Sequence, residues 1–122
     1  MSDEVRLAVP ATAEFLRLAR VTAAGLASRL GFTFDEVDDL RLAIDELCFA
    51  LIGAKGRQGT VQLRYQVLED GLEVVGTGHF VDDGPPPTLH DFSGQILEAL
   101  VDEHELSGGD GKPEFRLVKR RA

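Results

Sequence analysis

The chain opens with a period of two. Val5, Leu7 and Val9 alternate with Glu4, Arg6 and Ala8, which predicts a short strand with one apolar face, ended by Pro10. The spacing then widens to three and four. Phe15, Ala19, Thr22, Leu26 and Leu30, broadened by Leu16, Ala23 and Ala27, predict a helix over 12–30. Thr12 is its expected cap and Gly31 its stop, with Arg17, Arg20, Ala24 and Ser28 on the opposite face. A second helix is predicted over 34–52. Thr33 followed by Glu36 is a capping box, in which each side chain serves the other's orphan amide. Val37, Leu40, Ile44, Leu47, Cys48 and Leu51 form its stripe, Gly53 ends it, and Asp38, Asp39, Arg41 and Asp45 lie outside. Arg41 and Asp45 have the spacing of an ion pair.

Alternation returns at Val61, Leu63, Tyr65 and Val67. Asp70-Gly71 predicts a hairpin turn, since glycine takes positive φ without penalty. The return strand from Leu72 contains Gly76 and Gly78, so it is thin and open to a bulge. Asp82 to Pro87 reads as a loop. Phe92, Ile96, Leu97, Leu100 and Val101 predict a third helix over 92–102, opened by Asp91 or Ser93. A strand near 103–107, a turn over 108–113 and a last strand through Phe115 and Leu117 complete the chain, which ends in a frayed Lys119-Arg120-Arg121. The order β-α-α-β-β-α-β-β predicts an α+β two-layer sandwich: a five-stranded mixed sheet with three helices on one face, as one domain over 1–122.

Charge narrows the partners. Thirteen basic against 21 acidic residues leave −8, which argues against a direct nucleic-acid or anionic-membrane binder. No apolar run approaches the ~20 residues of a membrane span. Met1-Ser2-Asp3-Glu4 lacks the basic-then-apolar pattern of a signal peptide. The single cysteine excludes an internal disulfide, so the expected setting is cytoplasmic. His79, His90 and His104 lack metal-ligand spacing, and Cys48 lies on the apolar stripe as a core residue. Read alone, Glu46 is a solvated or paired helix carboxylate, and Asp82-Asp83-Gly84 is a turn.

Two strings add a resemblance. Ala19-Arg20-Val21-Thr22 on the first helix, and the run from Leu42 to Ile52 containing Asp45-Glu46-Leu47-Cys48-Phe49-Ala50 on the second, resemble the anti-sigma factor/serine kinase family (RsbW and SpoIIAB type) within the GHKL ATPase fold. The sharp part runs from Phe15 to Ile52, and the element order extends the likeness over nearly the whole chain. The resemblance implies a homodimeric regulator that binds a sigma factor and is released by a STAS-type antagonist. Arg20 matches an arginine that contacts both partners. A planar guanidinium suits such contacts because it pairs bidentately with carboxylates.

The resemblance also implies an ATP and Mg²⁺ site, and the residues here depart from it. Glu46 matches the family's catalytic carboxylate, which orients or deprotonates an attacking hydroxyl. The metal-binding asparagine one turn on is Ala50, which has no donor oxygen, so no metal ligand is expected. The base-reading Asp-x-Gly-x-Gly motif matches Asp82 and Gly84 but has Pro86 at its second glycine. A rival alignment uses Gly76-Thr77-Gly78 and loses the aspartate. The phosphate-cradling glycines fall at His90, Asp91 and Ser93. The expectation is an anti-sigma-factor-like regulator with no cofactor. The alternative is a serine-protein kinase using ATP and Mg²⁺.

Overall fold

The computed structural model describes residues 3–82, 84–108 and 112–122. Asp83 of the loop motif and Gly109, Asp110 and Gly111 of the last turn lie outside the described residues. The elements are β1 (Glu4–Pro10), α1 (Ala13–Arg29), α2 (Phe34–Ile52), β2 (Gly59–Val67), β3 (Gly71–Phe80), α3 (Asp91–Leu100), β4 (Glu103–Ser107) and β5 (Glu114–Arg120). The order is the one the periodicities predict. Among the described residues no helix is long and apolar enough to cross a membrane.

The sheet corrects one expectation. Its order is β1-β2-β3-β5-β4, and its pairings are antiparallel, not mixed. β4 runs parallel to β3, but β5 inserts between them, so the parallel neighbours never meet. α3 also stops earlier than 102: Val101 is extended, and the Asp102 carboxylate accepts the Arg120 N–H at 2.6 Å.

Alternation decides which face the helices cover. Val61, Leu63 and Tyr65 of β2, Val74 of β3, and Phe115 and Leu117 of β5 point to the helices and are buried. Against them α1 sets Leu16, Ala19, Ala23 and Ala27, and α2 sets Leu40, Ala43, Ile44, Leu47 and Leu51. The small alanines of α1 bring its backbone close to the sheet, close enough for the Tyr65 hydroxyl to donate to the Ala19 carbonyl at 2.9 Å. The opposite face is a ladder of charges: Arg116 meets Glu73 at 2.7 Å and Glu103 at 3.2 Å, and Arg120 meets Glu103 at 3.0 Å.

β3 keeps an unbroken register, without a bulge, and its glycines answer to aromatic rings. A Cβ on Gly76 would run into the Phe115 ring, and one on Gly78 would stand 2.5 Å from the Phe80 ring. Gly71 is not among the positive-φ glycines; the hairpin closes through the Leu68 N–H on the Gly71 carbonyl at 2.9 Å. The capping box forms as predicted, with the Glu36 N–H on Thr33 Oγ1 at 3.1 Å and the Thr33 N–H on Glu36 Oε1 at 2.8 Å. Thr12 occupies the N-cap of α1, but its hydroxyl makes no cap bond. The basic end is anchored, not frayed. The Arg121 N–H donates to the Asp70 carbonyl at 2.7 Å, and the Ala122 N–H to Glu36 Oε2 at 2.8 Å.

Candidate functional site

α2 is the positioning element. Its apolar stripe locks it onto the sheet, so the positions beside the stripe take fixed directions. Glu46 and Ala50, one helical turn apart, face a cleft of about 880 Å³. The other wall is the segment that follows β3, with Asp82, Gly84, Pro86, His90 and Ser93 among its lining residues. The structure therefore brings Glu46, Ala50, Asp82 and Gly84 into one cavity. Gly76 and Gly78 sit within β3 and do not line it, which favours the alignment through Asp82 and Gly84. Asp91 is exposed and is not among the lining residues, so the carboxylate expected to face the phosphates is turned away.

A residue that sequence reasoning missed dominates one end of the cleft. Arg57, in the loop between α2 and β2, donates from Nη2 to the Asp82 carbonyl at 2.9 Å and to Asp82 Oδ1 at 3.2 Å. Its guanidinium lies over the Phe80 ring, 4.3 Å from the centroid. Asp82 is 25 positions away, so no local spacing betrays the pair. The available signal was an arginine in a glycine-punctuated loop directly after the helix that carries Glu46.

Arg20 is also engaged within the chain. Its Nη1 meets Asp45 Oδ2 at 2.8 Å, tying α1 to α2, with the side chains 29% and 44% exposed. Asp45 is thus drawn from the expected Arg41, which instead approaches Asp38 at 3.7 Å. Leu42 and Phe49 flank Asp45 on α2 and are exposed. Behind the cleft wall, Cys48 is buried, and burial, helped by the Asp45 charge, pushes its thiol up to about 12. Burial also raises the Tyr65 phenol, with Cys48 adding to the effect.

The lining residues do not fit a magnesium–triphosphate. Ala50 offers a methyl where a hard divalent ion needs oxygen. Asp82 is held by Arg57, and the same bond turns that guanidinium toward the wall.

Residues 9–118 match the model of the histidine kinase-like ATPase domain family, and the chain belongs to that family. Its likeness is to the RsbW type. The serine-protein kinase RsbW of Bacillus pumilus (strain SAFR-032) is 30% identical over 131 residues, covering 89% of this chain and 81% of its own length. That of Bacillus subtilis (strain 168) is 38% identical over 77 residues, or 61% of this chain, which spans about half (48%) of that relative. In three dimensions, a structure of the RsbU and RsbW domains of a Mycobacterium tuberculosis protein covers 97% of this chain with a TM-score of 0.72. At 17% identity, and with 32% of that longer chain covered, the match establishes the shared fold.

Proposed function

We propose that the chain is an anti-sigma-factor-like regulator: it binds and sequesters a sigma factor in the cytoplasm and is released by a STAS-type antagonist, without turning over ATP. The observation that carries this reading is Ala50 facing the cleft one turn from Glu46, on a scaffold of the RsbW type. The fold is retained while a metal-holding position of the nucleotide site is gone. The partner surface we assign is centred on Arg20 and Asp45, flanked by exposed Leu42 and Phe49. A charged pair ringed by apolar side chains combines orientation with desolvation, as protein-binding patches do. The −8 net charge suits a partner with a basic surface. Phe15, Leu18 and Val21, exposed along α1, are the face we assign to homodimerisation. The test is capture of the host's sigma factors by the purified chain and by Arg20→Ala. Capture that fails with every sigma factor would overturn the reading.

A second reading is favoured by Glu46, retained on the cleft wall. It is a serine-protein kinase acting on the antagonist with ATP and Mg²⁺, the activity for which the Bacillus relatives are named. Radiolabel transfer to the antagonist that vanishes in Glu46→Gln would establish it over the first.

A further inference from the structure

Among the described residues that line the cleft, Arg57 is the one arginine, and it is bound to the cleft's own wall. Its base is fixed, because the Arg57 N–H donates to the Ala11 carbonyl at 2.9 Å. Its side chain is 17% exposed, although its carboxylate partner Asp82 is 73% exposed. The guanidinium touches four different surfaces. The Phe80 ring lies against one face, the Asp82 carbonyl and carboxylate accept its N–H groups, and Gly84 abuts it. A Cβ on Gly84 would stand 2.6 Å from Nη2, so a side chain there would force the guanidinium to shift. The Phe80 ring is itself seated on Gly78.

An aromatic face, a carboxylate, a free carbonyl and a bare backbone are what a flat nitrogen heterocycle with an exocyclic amine requires. The ring stacks, and the amine donates to the carboxylate. A guanidinium is also flat and also donates N–H groups, so it satisfies the same surfaces. We infer that Arg57 is a tethered occupant of this slot, which lies beside the cleft where Phe80 joins Arg57, Asp82 and Gly84, and that it closes the slot to amino-purine bases. The inference deepens the reading above, in which the chain works without ATP turnover. It adds a second and separable reason: Ala50 removes the metal position, and Arg57 fills the base position.

An intramolecular ligand competes at a high effective concentration, so an external base must displace it. Removing it opens the slot. The probe is adenosine, which lacks phosphates and therefore does not interrogate Ala50. Calorimetry would compare the wild type, Arg57→Ala, Arg57→Gln and the double variant Arg57→Ala/Asp82→Asn. The wild type should show no binding at millimolar adenosine. Arg57→Ala and Arg57→Gln should bind at least tenfold more tightly, and Asp82→Asn should abolish the gain. Inosine, which has a carbonyl in place of the amine, should gain nothing. The inference is overturned if the wild type binds adenosine as well as the variants, if folded variants gain nothing, or if inosine gains equally. Should Arg57→Ala fail to fold, Arg57→Gln decides, because it keeps most of the side chain's length without the charge. Wild type that transfers phosphate from Mg-ATP but does not bind adenosine would overturn the reading without ATP turnover and leave the Arg57 inference standing.

Discussion

The two walls of the cleft are built by different means. The α2 wall is the outer side of a helix whose inner side is core: Leu40, Ala43, Ile44 and Leu47 are completely buried behind it. The opposite wall, in its described residues Asp82 and 84–90, has neither helix nor strand, and the Arg57 side chain ties its start to the rest of the molecule. The first wall is fixed by burial and tolerates change at the residues it shows to the cleft. The second is tied at its start by a polar clasp and rests on the core through Leu89. Chemistry can therefore be lost from the α2 wall, as at Ala50, without loss of fold.

The contrast can be broken most directly through stability. Leu47→Ala should destabilise the protein by ~2–5 kcal/mol in denaturant titrations, whereas Pro86→Ala on the opposite wall should stay within ~0.5 kcal/mol. Equal effects would show that the walls are not built differently. Arg20→Ala should weaken sigma-factor binding by ~2–5 kcal/mol. It should change stability little, because a solvent-accessible, half-buried pair such as Arg20–Asp45 contributes only about 1 kcal/mol. Unchanged affinity would move the partner surface away from the Arg20–Asp45 pair, toward Asp38 and Asp39.

Smaller effects sharpen the picture of the α2 wall. Thr33→Ala should lower stability by ~1 kcal/mol through loss of the cap. Cys48 carries a raised thiol value, so its protonated form stabilises the fold. That contribution is complete below the ordinary value of 9.0 and is lost as pH rises toward about 12. Cys48→Ala should flatten the alkaline limb of stability over this range, and native Cys48 should resist thiol reagents at pH 8. The smallest expected effect is at Glu36, whose carboxyl is held below its ordinary 4.5 by the Thr33 and Ala122 amides. Its contribution is present above pH 4.5 and fades as pH falls below it, so Glu36→Gln should flatten the acid limb.

What could be read from the sequence follows the range of the interaction. α2 was legible to the residue because its signals are local: Thr33 and Glu36 at one end, Gly53 at the other, and a regular stripe between. The antiparallel sheet was not, because strand direction depends on β5 inserting between β3 and β4, which no local pattern records. Gly76 and Gly78 were visible as a thin strand, but their reason lies in the Phe115 and Phe80 rings. In the cleft, Glu46, Ala50, Asp82 and Gly84 could be named from motif positions. Arg57 could not, since its partners lie across the loop wall and belong to no shared motif.

The run Pro85-Pro86-Pro87 has a consequence for the hydrogen-bond polarity of the cleft. Proline has no amide hydrogen, so over these positions the main chain can only accept. The facing wall ends in the last turn of α2, which carries no basic residue and whose closing carbonyls are also acceptors. Over the three proline positions their wall offers phosphate no main-chain donor, and the main-chain donors left beside the cleft on that side include the first amides of α3, next to His90 and Ser93.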